Sequence, residues 1–142
     1  MNNLIEFLWG QWHPNAKEIA NLLGKLLAND QLPFPENGKL KDAQKTQGVY
    51  IIRENGTVLH VGRTYDGKEG LCQRLNNHLY GASSFVKKYL NGKKEKLRKK
   101  GYTYQVLEVK DEKERAYLEA LATGILYPEH IGTGRKKHCL VN

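Results

Sequence analysis

An α+β fold is what this sequence predicts, and three observations carry it. Residues 48–62 read as a β-hairpin, residues 102–110 as an alternating strand, and amphipathic helical stripes lie before, between and after them. The hairpin is the organising stretch. Gly48 opens a run of Val49, Tyr50, Ile51 and Ile52, all strand formers, and Glu54-Asn55-Gly56 supplies turn chemistry before Thr57–Val61 returns. Loop length sets what faces what. A two-residue Asn55-Gly56 turn would pair Tyr50 with Val61 and send His60 to the other face. A three-residue loop, 54–56, pairs Arg53 with Thr57 and sets Tyr50 directly opposite His60.

The remaining elements follow in order. Leu4, Ile5, Leu8 and Trp9 have helical spacing over residues 3–10. Pro14 suits a first helical turn, and Ala16, Ile19, Ala20, Leu23, Leu26 and Leu27 form an apolar stripe that ends at Asn29-Asp30. Pro33, Pro35 and Gly38 mark residues 31–46 as a connecting loop, so residues 1–45 form an N-terminal helical extension with its linker and residues 46–142 the main domain. Beyond the hairpin, Leu71, Leu75 and Leu79 recur every four residues, and Arg74 and His78 share one face of that helix. Ser83 caps a further helix that turns Phe85, Val86, Tyr89 and Leu90 inward. Residues 93–100 make a basic helical turn. Thr103, Gln105, Leu107 and Val109 alternate with Tyr102, Tyr104, Val106 and Glu108. Asp111-Glu112 then opens a helix with acids in its first turn, and Leu118, Leu121, Ala122 and Ile125 face the core with Glu119 at the stripe's edge.

Composition narrows the class. A 39% hydrophobic share over 142 residues suits one globular domain and excludes a disordered chain. No stretch is long and apolar enough for a membrane span, and the N-terminus lacks a signal-peptide pattern. Cys72 and Cys139 form no CxxC pair, so they read as reduced thiols of a cytoplasmic protein, with a single disulfide as the alternative. The net charge of +8 is concentrated. Residues 1–46 carry five acids and five bases, whereas Lys87, Lys88, Lys93, Lys94, Lys96, Arg98, Lys99 and Lys100 stand against Glu95 alone. Such a cluster favours a polyanion through counterion release, foremost nucleic acid, or else serves as a solubilising face.

Gly48-Val49-Tyr50 followed ten residues on by His60-Val61-Gly62, then Arg74 with His78 one turn later, a strand, and a helix bearing Glu119, resembles the GIY-YIG nuclease family over residues 47–130. His60 stands where the family usually has a tyrosine. The resemblance implies a small three-stranded antiparallel sheet flanked by helices, and hydrolysis of DNA phosphodiester bonds with one Mg²⁺ or Mn²⁺ ion per site. It assigns catalytic roles to Tyr50, His60, Arg74, His78 and Glu119, with Glu119 holding the metal. It involves no small-molecule cofactor.

The physics of such roles is independent of the family. An in-line water needs a base, and the charge building on phosphorus needs positive neighbours. Arg74 can grip a phosphate oxygen. Tyr50 acts as base only if its pKa falls toward neutrality, helped by Arg74 and the metal; His60, with an ordinary value of about 6.5, could take over that duty or hydrogen-bond the water. His78 would orient Tyr50 or the phosphate. Gly62 lets a backbone or phosphate approach, and Gly62, Arg63 and the eight basic residues of 87–100 are the expected DNA contacts. The family's asparagine after the glutamate helix is missing. His130 and the distant Asn142 are the available substitutes. With no room for a sequence-reading domain, a stand-alone nuclease of the restriction or phage-defence kind is expected, with a possible homodimer through the N-terminal helices. The rival reading is a catalytically weak or inactive nucleic-acid-binding module on the same fold.

Overall fold

The structure, a computed structural model, describes residues 10–41 and 45–132. The expected helix over residues 3–10 falls outside them except for Gly10, as do Cys139, the Leu140-Val141 stretch and Asn142.

Four strands, β1 (Leu32–Pro33), β2 (Gly48–Glu54), β3 (Thr57–Arg63) and β4 (Tyr102–Glu108), form an antiparallel sheet in the order β1-β4-β2-β3. The expected three-stranded sheet is thus corrected to four. The added strand comes from the stretch read as a connecting loop, where Leu32 and Pro33 pair with Tyr104 and Thr103. Two residues show no alternation, and proline is tolerated because this is an edge. β2 lies inside the sheet, and Val49, Tyr50, Ile51 and Ile52 are all fully buried. Its unbroken apolar run fits a strand covered on both faces; each such side chain contributes about 1.5–3 kcal/mol.

The layers follow from alternation along β2. Tyr50 and Ile52 face helix α2 (Gly70–Leu79) through Leu71, Leu75 and Leu79, together with Phe85 and Leu97. Val49 and Ile51 face helices α1 (Pro14–Ala28) and α3 (Glu112–Leu126) through Ile19, Leu23, Leu26, Leu118 and Ala122. The end of α1 is also stitched to β4: Gln105 Nε2 donates to Leu27 O at 3.1 Å and Asn29 O at 2.8 Å, and Asn29 Nδ2 to Val106 O at 2.7 Å. The two segments after α2 are short, a π-helical turn at Phe85–Tyr89 and a 3₁₀ turn at Lys94–Arg98. Tyr89 is 36% exposed rather than turned inward. Ile125, expected in the core, is 60% exposed, and Arg115 is the buried residue of α3 that periodicity did not mark.

The hairpin register also differs from expectation. Asn55 (φ 50°) and Gly56 (φ 87°) both lie in the left-handed region, as a two-residue type I′ turn requires, and Glu54 pairs with Thr57. The register then slips: Arg53 pairs with Val58 but Ile52 with His60, leaving Leu59 as an extra residue in β3. Tyr50 therefore stands opposite Gly62, not His60. The bulge reverses the facing that a plain two-residue turn would give, so His60 and Tyr50 share a face after all.

Candidate active site

β3 is the outer strand of the sheet, and a cleft of about 820 Å³ wraps round its edge. From one side come His60, Arg74, His78, Ser83 and Phe85; from the other Arg63, Glu119 and Thr123; the chain returning from α3 adds Pro128 and His130. That return follows a left-handed cap at Tyr127 (φ 51°), after which Glu129 N and His130 N donate to Val58 O (3.2 Å) and Leu59 O (2.9 Å) of β3. The extended backbone covers one end of the edge strand and brings the His130 ring to 5.4 Å from that of His60. Of the residues expected to act, His60, Arg74, His78 and Glu119 line this one cleft.

Tyr50 lies beneath it, fully buried. Its ring covers Gly62, where a Cβ would collide with the phenol, so the glycine accommodates the tyrosine. The phenol is hydrogen-bonded to His78 Nε2 at 2.7 Å, and His78 Nδ1 to Ser83 Oγ at 2.7 Å; Ser83 Oγ also accepts from Val86 N at 3.2 Å. This chain of three side chains ties β2, α2 and the π turn together. Ser83 sits five residues after His78 and looks in sequence like a helix cap only. His60 stacks on Phe85 with centroids 5.0 Å apart and planes 18° from parallel.

The electrostatics depart from a lowered tyrosine pKa. Burial pushes the Tyr50 phenol above its ordinary range, outweighing the nearby Arg74 guanidinium. Burial, then His130 and Arg74, push the His60 imidazole down to about 3. Burial first, then His60, Arg74 and His130, hold His78 well below its usual value. All three groups are therefore neutral at neutral pH, and the His78 ring donates through one nitrogen and accepts through the other. Burial raises the Glu119 carboxyl by more than Arg63 and Arg74 lower it.

These histidines carry a stability consequence. Their folded pKa values lie below the unfolded value of about 6.5, so their contribution is intact above that pH and is lost on acidification. Each proton taken up on unfolding gives a slope of about 1.4 kcal/mol per pH unit. Urea unfolding between pH 6.5 and pH 3 should show stability falling steadily, with His60→Gln losing about one proton's worth of slope. An unchanged slope in that variant would contradict the buried neutral imidazole.

Arg63 and Glu119 form an ion pair, Nε to Oε1 3.1 Å, without hydrogen-bond alignment. Helix α3 is held for this contact by Arg115, one turn before Glu119. Arg115 is 1% exposed. Its Nε donates to Thr64 O (3.2 Å), its Nη1 to Val109 O (3.1 Å) and Lys110 O (2.8 Å), and its Nη2 to Asp66 Oδ1 (3.3 Å). Four buried nitrogens on the cleft make no hydrogen bond among the described residues: His60 Nδ1, Arg63 Nε, Arg74 Nε and His130 Nε2. Unmatched buried polar groups cost free energy, and the two guanidinium donors among them, on one cleft, suit an anion.

Among the described residues no cluster of three or more His, Cys, Asp or Glu side chains could hold a metal. Glu119 is the single acid among the described lining residues. A hard cation that keeps most of its water and takes further oxygens from a phosphate needs only one carboxylate, so this donor set fits hydrated Mg²⁺ or Mn²⁺ and not a cation caged by protein.

The start of the basic segment lies beside the cleft. Lys87 and Lys88 are exposed on the π turn whose first residue, Phe85, forms part of the cleft wall, and burial, then Lys88, lowers the His130 pKa. Lys93, Lys94, Lys99 and Lys100 are exposed, and Lys96 is half-buried. Arg98 is engaged otherwise: Nη1 donates to Pro35 O (3.1 Å) and Gly38 O (2.7 Å), anchoring the loop after β1. Cys72 is a buried free thiol. No helix among the described residues is long and apolar enough to cross a membrane.

Comparison with family models, with curated proteins and with solved structures finds no match for the chain.

Proposed function

We propose that the protein is a metal-dependent endonuclease hydrolysing DNA phosphodiester bonds on a GIY-YIG-like fold. The observation that carries the reading is the convergence of Arg63, Arg74, His60, His130 and the Glu119 carboxylate on one cleft at the hairpin edge, with buried nitrogens of the first four unmatched among the described residues. Arg74 and Arg63 hold the non-bridging phosphate oxygens, since two guanidiniums beside one carboxylate leave room for an anion. Glu119 would hold the cation, which would supply positive charge to the departing oxygen. His60 lines the cleft, so its ring positions the attacking water and takes its proton; the phosphate's negative charge raises its basicity from the value in the free protein. Tyr50, His78 and Ser83 keep that wall in register. Lys87, Lys88 and the lysines of 93–100 bind the flanking backbone by counterion release.

A second reading has one observation in its favour: Tyr50 is buried and both it and His60 are far from their working protonation ranges. A binding module that grips DNA without cutting it would tolerate this. Supercoiled plasmid incubated with Mg²⁺, with and without chelator, separates the two. The nuclease converts it to nicked circles only with free metal; retarded plasmid that stays supercoiled under Mg²⁺ and Mn²⁺ leaves the binding module. A single site nicks one strand, and two chains paired through their N-terminal helices would cut both.

A further inference from the structure

We propose that Arg63 is a latch on Glu119, released by the phosphate, so that the nucleic acid and the cation bind cooperatively. This rests on the nuclease reading above. In the free protein the Arg63 guanidinium lies on the carboxylate at 3.1 Å, where a cation would otherwise sit. The side chains are 23% and 29% exposed, so the pair is largely shielded from water and its charges count for more than they would at the surface. The contact is nevertheless poorly made, because Arg63 Nε is not aligned for a hydrogen bond. The guanidinium also lies over the Tyr65 ring, 4.8 Å from its centroid, a support that lets the side chain shift without losing all its contacts.

Charge arithmetic sets the order of events. Two guanidiniums, Arg63 and Arg74, face one carboxylate among the described residues of the cleft. A divalent cation arriving first must displace Arg63 and add to an existing positive excess. A phosphate arriving first cancels that excess, offers Arg63 better-aligned acceptors and uncovers Glu119. By linkage, whatever the phosphate does for the cation the cation does for the phosphate. The arrangement weakens the hold on the cation where there is nothing to cut.

The test is Mn²⁺ affinity, read by paramagnetic resonance titration on the full chain without DNA, with sulfate as the anion probe and chloride at equal ionic strength as its control. Sulfate should tighten Mn²⁺ binding to the wild-type protein. Arg63→Gln should bind Mn²⁺ about tenfold more tightly than wild type without sulfate and lose the sulfate dependence. Arg63→Lys, which keeps the positive charge, should stay near wild type. Arg63→Gln binding no tighter than wild type overturns the latch, as does a wild-type affinity indifferent to sulfate; the second arm stands even if the glutamine variant does not fold. Failure of the nuclease reading appears separately, as wild-type protein that leaves plasmid uncut with Mg²⁺ whatever these titrations give.

Discussion

Glu119→Gln should reduce Mg²⁺-dependent plasmid nicking by about a thousandfold or more while DNA binding in a gel-shift assay is kept or slightly strengthened. The carboxylate is the single acid among the described residues lining the cleft, so no other acid among them can take over a cation. The amide keeps the shape and removes the charge. It also releases Arg63, which gains freedom to pair with phosphate. Arg74→Ala should show a similar loss of rate, with Arg74→Lys only partly restoring it, because one ammonium cannot reproduce the planar fork. Here too binding survives, since the exposed lysines of 87–100 lie outside the cleft. Wild-type nicking by Glu119→Gln would remove the basis for the proposed chemistry.

Arg115→Ala is expected to be the most destabilising single change outside the apolar core, by about 3–5 kcal/mol, seen as a fall in Tm of roughly 10–15 °C. Three backbone carbonyls, of Thr64, Val109 and Lys110, lose their donor, and the void lies where α3 meets the end of β3. The ion pair with Asp66 is a minor part. That carboxylate is 83% exposed and screened, so Asp66→Ala should cost no more than about 0.5 kcal/mol. A comparable loss in both variants would mean that the Coulombic contact, not the carbonyl clamp, holds the helix. Because Glu119 follows Arg115 by one turn, a clamp that slips also moves the carboxylate away from Arg63 and Arg74.

The contrast between Ile125 and Arg115 shows how much of this was legible in the sequence. Helical spacing placed Ile125 in the core by its type, yet α3 turns it outward and buries an arginine, because three carbonyls at a loop junction needed a multi-armed donor. Periodicity registers apolar residues; it has no means of registering a charge buried for its hydrogen bonds. Likewise the Asn55-Gly56 turn was visible, but the extra residue at Leu59 was not, since a bulge is decided by what the strand must face on both sides. The short β1 has no signature in the sequence, because two residues carry no pattern and its pairing partner lies some seventy positions away.

By itself, then, the sequence determined the local elements: the hairpin and its turn, the helices carrying Arg74 with His78 and Glu119, the alternating strand β4, and the separation of the basic segment from a neutral N-terminal part. These follow from backbone preference and side-chain period, which act over a few residues. Only the tertiary structure decided that β3 is an edge, that a cleft wraps round it, that Tyr50 is sealed under Gly62 against His78, and that Arg63 reaches Glu119. Those facts depend on contacts between segments far apart in the chain, and on burial, which sets the charge state of each group only once the layers have closed.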